Sequence, residues 1–164
     1  MHCAATVLLL REQPTGLEVL MMRRGSTLSF MAGMWVFPGG RMEPDDASAA
    51  ALVRLRPGAL ARGAGLHSMQ GERIADDVAA GLHIAACREA FEEEDLHLDI
   101  APLVYWSHWI TPSLEPKRFD TRFFVAPLPP GQVASADLSE LTEHAWINPA
   151  SVAAAIERGE IVVV

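Results

Sequence analysis

Apolar and polar positions follow two rhythms along this chain. Ala4 to Leu10 is a nearly unbroken apolar run and Leu17 to Met22 a second, with Gln13-Pro14-Thr15-Gly16 between them. Short apolar runs bounded by turn residues predict two strands. Arg23-Arg24-Gly25-Ser26 reads as a loop, and Trp35 to Phe37 as a short strand entering the turn Pro38-Gly39-Gly40. Residues 47 to 73 are rich in Ala, Gly and Arg, with breaks at Pro57-Gly58 and Gly63-Ala64-Gly65. Ala47 to Leu55 is expected to make a helical turn or two, and the middle of the segment a loop.

The rhythm then changes to helical. Asp76-Asp77 supplies acids for a helix start, and the helix is expected to run to about Glu94. Ile84, Cys87 and Phe91 fall on one side of it and are the expected core face. Gly81 costs about 1 kcal/mol relative to Ala, which suggests a bend or two helices in series. Val104 to Ile110 and Thr121 to Val125 are expected strands joined by residues 111 to 117, and residues 127 to 132 a turn or loop. Glu143 to Ile147 is a further strand, and Asn148-Pro149 opens a last helix over Ala150 to Arg158. Strands, a helix, more strands and a final helix predict an α/β protein whose helices cover a mixed sheet.

Composition narrows the classes. With 164 residues, half of them hydrophobic, the chain suits one domain with a real core. A formal net charge of −8 argues against a nucleic-acid partner held by a basic surface. Two cysteines, Cys3 and Cys87, indicate no disulfide framework. The run Ala4 to Leu10 is too short to span a membrane and lacks a signal peptide's basic start, so the expected location is cytoplasmic with no membrane partner. The histidines show no paired metal-ligand spacing, which argues against zinc. His108 and His144 read as polar packing or rim residues. Ser107 and Ser113 lack a nucleophile-elbow context, which argues against acyl hydrolysis.

The chemistry concentrates in Arg88-Glu89-Ala90-Phe91-Glu92-Glu93-Glu94-Asp95. On a helix, Glu89, Glu92 and Glu93 stand at i, i+3 and i+4, so their carboxylates share a face. They also gather where the helix dipole is negative and disfavours anions. A hard divalent cation would relieve that conflict; alone, the stretch reads first as a solvated acidic helix end. Upstream, the glycines of Trp35-Val36-Phe37-Pro38-Gly39-Gly40-Arg41 allow close backbone approach to a ligand and leave carbonyls free.

Together these two segments resemble the Nudix box, G-x5-E-x7-R-E-U-x-E-E-x-G-U with U apolar. Gly40 takes the first glycine, Arg88 and Glu89 the RE pair, Ala90 the first U, Glu92 and Glu93 the EE pair and Leu96 the last U. Asp46 stands where the pattern has its first glutamate, and Asp95 replaces the final glycine, with Glu94 expected to point away from the site. About forty residues separate Asp46 from Arg88 where the pattern has seven, an insert at about residues 47–80 of a single domain. Trp106-Ser107-His108-Trp109-Ile110-Thr111-Pro112 and Pro116-Lys117-Arg118-Phe119-Asp120-Thr121-Arg122 are similar to the coenzyme A diphosphatase branch, which carries a long insert in the box. Relatives of that branch usually continue past this C-terminus with a segment that helps close the site or a dimer, so a homodimer is left open.

The resemblance implies an α/β/α sandwich and Mg²⁺- or Mn²⁺-assisted hydrolysis of a diphosphate in a small nucleotide-type substrate, with coenzyme A or an acyl-CoA favoured. ADP-ribose, dinucleoside polyphosphates and nucleotide sugars are alternative substrates, and a non-catalytic ligand sensor the alternative role. It assigns Glu92, Glu93 and the Gly40 carbonyl to the metal, and Glu89 to the metal or to the base. Arg88 is expected to orient a carboxylate, and Glu140 or Glu143 to add a further acid. Among the cations Arg23, Arg24, Lys117, Arg118 and Arg122, the expected phosphate contacts are Arg23 and Arg118. Trp35, Phe37 and Trp109 are candidates to stack an adenine, core packing being the other reading of Phe37.

Overall fold

The computed structural model describes residues 1–26, 32–48, 74–136 and 141–160. Strands β1 (His2–Gln13) and β2 (Gly16–Arg24) form the expected hairpin, in register from Leu10↔Val19 to Gln13↔Gly16. β3 (Trp35–Val36) pairs with β2, and β4 (Gly39–Arg41) pairs antiparallel with the beginning of β1. A 3₁₀ turn over Pro44–Ala47 and the 19-residue helix α1 (Asp76–Glu94) follow. Next come β5 (Val104–Ile110), β6 (Phe119–Pro127), β7 (Leu141–Ile147) and helix α2 (Pro149–Glu157). The sheet runs β3-β2-β1-β6-β5, with β4 beside β1 and β7 beside β2. β1 and β6 are parallel and the remaining pairs antiparallel, which makes the sheet mixed, as expected.

Strand alternation divides the sheet into two faces. Ala5, Val7 and Leu9 of β1 and Phe124 and Ala126 of β6 point to α1 and form the core with Leu82, Ala85, Ala86 and Ala90. The expected core face of α1 is therefore corrected in part: Cys87 does pack against this core. The stripe on the sheet is Ala79, Leu82, Ala86 and Ala90, whose small side chains let the helix lie close. Phe91 is 45% exposed and rests beside the His97 ring instead. Glu94 continues that stripe, four residues after Ala90, and is fully buried. It points into the core toward His144, and so away from the side of Glu89 and Glu93, as expected.

Gly81 causes no break in α1. A Cβ there would lie 2.9 Å from Met42 Sδ and 3.0 Å from Ala47 Cβ, so the glycine serves close packing on the 3₁₀ turn. Asp95 ends the helix in the left-handed conformation (φ 54°, ψ 34°) expected of the residue in the glycine position. Asn148 caps α2 by accepting from Ala150 N. The 3₁₀ turn includes Ala47, but most of the helical segment expected over Ala47 to Leu55 lies outside the described residues, as do residues 49 to 73 of the expected insert. Residues 76–80, assigned to the insert, are the first turns of α1. Among the described residues no helix is long and apolar enough to cross a membrane.

Candidate active site

The alternate residues of the same strands open onto a cleft of about 490 Å³ on the sheet face away from the core. Ala4 and Thr6 of β1 and Phe119, Thr121 and Phe123 of β6 supply its floor, Val36 and Phe37 one wall, and β4 one edge. Glu89 and Glu93 of α1 reach the cleft beside the two glycines.

Those glycines are required by space. A Cβ on Gly40 would stand 2.3 Å from Glu89 Oε1, so the missing side chain is what admits the carboxylate. A Cβ on Gly39 would stand 2.5 Å from the Ala5 carbonyl and 2.7 Å from Thr6 Cα, so β4 lies against β1 because Gly39 has none. The Gly39 N–H donates to Glu93 Oε2 at 2.9 Å. Strand β4 was not expected from the sequence, where Gly39-Gly40 reads as a turn.

Arg88 organises the acids. Its Nη1 donates to Glu89 Oε1 at 2.8 Å and Glu92 Oε2 at 2.9 Å. Its Nε and Nη2 grip both oxygens of Asp46 at 3.1 Å each, and Nη2 also donates to the Arg41 carbonyl at 2.9 Å. A forked pair of this kind fixes orientation as well as charge. Asp46 is buried and also accepts from Glu43 N at 2.8 Å. The shorter carboxylate thus ties the 3₁₀ turn and β4 to α1 through Arg88. Burial works against the guanidinium charge, but its bonds with Asp46 and Glu89 outweigh that and hold Arg88 protonated.

The carboxylates of the cleft respond oppositely. Burial raises Glu89 above the ordinary carboxylate value, against the pull of Arg88. Burial pushes Glu93 up to about 8, the Gly39 N–H opposing and Glu89 adding repulsion. Glu92 is more exposed, stays on Arg88 and does not line the cleft. Two half-buried carboxylates and a backbone carbonyl are hard oxygen donors that suit Mg²⁺ or Mn²⁺. Mg²⁺ in particular is usually held by one or two carboxylates with waters and substrate oxygens completing the shell. The pair is not a closed cage: among the described residues no three His, Cys, Asp or Glu side chains converge as a ligand group.

The cations lining the cleft are Arg24, Arg41 and Lys117. Arg23 and Arg118, the expected phosphate contacts, are placed elsewhere. Arg23 lies 3.5 Å from Glu143 and also donates to the Gly33 carbonyl, while Arg118 Nε donates to the Thr111 carbonyl at 3.0 Å. Neither lines the cleft, and neither does Glu143. Glu140 lies outside the described residues. Arg122 is buried on the α1 side of the sheet, where Asp120 bonds both it and His108. Phe37 lines the cleft, whereas Trp35 does not. Alternation within β6 separates the cleft-facing Thr121 from Arg122. Choosing Arg24 over Arg23 requires knowing that β7 pairs at Arg23↔Glu143.

The architecture matches known structures over its full length. A Nudix hydrolase from Alicyclobacillus acidocaldarius superposes with a TM-score of 0.78 at 24% identity, covering 100% of this chain and 86% of that one. The chain has the Nudix fold. The NUDIX domain of Shewanella oneidensis NrtR, solved with ADP ribose, aligns with a TM-score of 0.60 at 14% identity over 94% of this chain and 77% of that one. Among curated proteins, "Putative nudix hydrolase 7" of Caenorhabditis elegans is 28% identical over a 140-residue alignment that covers 80% of this chain. The chain spans about half the length of that relative, 47%. No protein-family model matches the chain. The α/β Nudix architecture expected from the box is the one observed.

Proposed function

We propose that this protein is a hydrolase that cleaves a diphosphate linkage in a nucleoside-diphosphate-linked small molecule with Mg²⁺ or Mn²⁺. The observation that carries the reading is the meeting of Gly40, Glu89 and Glu93 in one cleft rimmed by Arg24, Arg41 and Lys117. A diphosphate resists attack because its oxygens repel an incoming hydroxide. The cation, held by Glu89, Glu93 and the Gly40 carbonyl with Glu92 beside them, would neutralise that charge and acidify water. Arg88 holds Glu89 in orientation, and the raised pKa of Glu89 suits a proton acceptor as well as a ligand. The rim cations offset the remaining phosphate charge.

Within this class, coenzyme A or an acyl-CoA is the favoured substrate, giving 3′,5′-ADP and 4′-phosphopantetheine. The likeness of the segments Trp106 to Pro112 and Pro116 to Arg122 to the coenzyme A diphosphatase branch supports it, and Lys117, Phe119 and Thr121 of the second segment line the cleft. ADP-ribose hydrolysis is the second reading, favoured by likeness to a domain solved with ADP ribose. A panel of CoA, ADP-ribose, NADH and nucleoside triphosphates with Mg²⁺ or Mn²⁺, with products identified by mass, separates them. Preferential CoA cleavage is expected, with loss of at least about 100-fold in kcat for Glu93→Gln. ADP-ribose turnover beside intact CoA would replace the substrate reading. Tight binding with no turnover would replace hydrolysis by ligand sensing.

A further inference from the structure

The strand register lays one row across the cleft face of the sheet. Arg41 of β4 pairs with Ala4 of β1, Ala4 with Thr121 of β6, and Thr121 with Trp109 of β5. Arg41, Ala4 and Thr121 line the cleft. Directly paired residues share a sheet face, so the Trp109 side chain stands on the cleft side at the end of the row. Three strand spacings separate it from β4, roughly 14 Å. The row thus has the glycine-carboxylate edge at one end and an indole at the other. Phe119 and Phe123, two residues either side of Thr121, line the cleft between them, and Lys117 Nζ lies 5.4 Å from the Phe119 ring centre.

Trp109 is 69% exposed, so its large apolar surface faces water rather than core. We propose that Trp109 is a stacking platform for the aromatic base of a nucleoside diphosphate whose diphosphate lies at Gly40, Glu89 and Glu93. The inference rests on the diphosphate reading above and specifies which part of the substrate is read at the β5 end. An extended nucleoside diphosphate bridges a gap of this order, with its ribose over Thr121 and Phe119. A flat, open indole suits a base better than an alkyl tail. A tail gains from concave apolar walls that surround it, whereas a base gains from one ring face alone.

Calorimetric titration of ADP and of ribose 5-diphosphate, which lacks the base, tests this at saturating Mg²⁺ on the wild type, Trp109→Ala and Trp109→Phe. Trp109→Ala should weaken ADP roughly 5- to 150-fold, the range that base–aromatic stacking spans on alanine substitution. Ribose 5-diphosphate should change less than about twofold, and Trp109→Phe should recover most of the ADP affinity. Equal weakening of both ligands, or of neither, overturns the stacking role while leaving the diphosphate site intact. Failure of both ligands to bind the wild type overturns both readings. Because Trp109 is on an exposed edge strand, unchanged circular dichroism and melting are expected for both variants.

Discussion

The two adjacent glycines make opposite predictions for the same substitution. In Gly39→Ala the new methyl would lie 2.5 Å from the Ala5 carbonyl, 2.6 Å from Thr6 Oγ1 and 2.7 Å from Thr6 Cα. These are mainly backbone atoms of a central strand and cannot yield cheaply. β4 has to move off β1, weakening the Thr6↔Gly39 pairing and the 2.8 Å bond from Val7 N to the Pro38 carbonyl. Overpacking plus a strained backbone bond is worth about 2–4 kcal/mol. In Gly40→Ala the methyl would meet only the carboxylate end of Glu89, at 2.3–2.6 Å. A side-chain rotation relieves it, at a cost of about 1 kcal/mol for the weakened contact with Arg88. Restoring an ordinary 3.4 Å contact displaces that carboxylate by about 1 Å, a misplacement that can lower turnover about 100-fold. Urea unfolding and steady-state hydrolysis of the best substrate measure both effects. A Gly40→Ala enzyme with wild-type turnover would remove Glu89 from the chemistry. A Gly39→Ala protein as stable as the wild type would refute the packing argument.

Three further outcomes follow from the acids of α1. Glu93 titrates near 8 in the metal-free protein against an ordinary 4.5. Between those values the folded state keeps a proton that the unfolded state has lost, so metal-free stability should fall as pH rises through this window. Below 4.5 both states are protonated and above 8 neither is, so the slope vanishes outside it. Cation binding must expel that proton, so Mg²⁺ or Mn²⁺ affinity should rise by up to about tenfold per pH unit and level off near pH 8. Calorimetry in buffers of different ionisation heat measures the proton release, and pH-independent binding between 6 and 8 would contradict it. Glu94 is buried, with Oε2 accepting from His144 Nδ1 at 2.6 Å and Oε1 without a partner among the described residues. His144→Ala should therefore cost about 1–3 kcal/mol in urea unfolding, and Glu94→Leu combined with His144→Leu should recover most of it. An unaffected His144→Ala protein would show that the bond contributes nothing.

Much of this fold is written locally. The apolar runs mark β1 and β2, the acidic start of α1 and the Asn-Pro start of α2 are legible as helix signals, and Asp95 is legible as a helix stop because its position in the box calls for glycine. The choice of facing residues is not local. Arg23 and Arg24 are chemically equal in the sequence, and pairing with β7 places Arg23 beside Glu143 while Arg24 lines the cleft. Likewise Glu92, Glu93 and Glu94 look interchangeable until α1 settles on its alanine stripe. That choice buries Glu94 against His144, sends Glu93 to Gly39 N–H and leaves Glu92 on Arg88.

The same step explains the departures from the box pattern. Asp46 is short by one methylene, yet Arg88 reaches both of its oxygens while still holding Glu89 and Glu92. One guanidinium therefore joins the 3₁₀ turn that holds Asp46 to the helix that carries Glu89. That bond gives a physical reason why two segments some forty residues apart in the chain can present Gly40 and Glu89 to each other: a forked ion pair spans the separation. What the site requires of the sequence is then the residues at both ends of that pair, and not the length of chain between them.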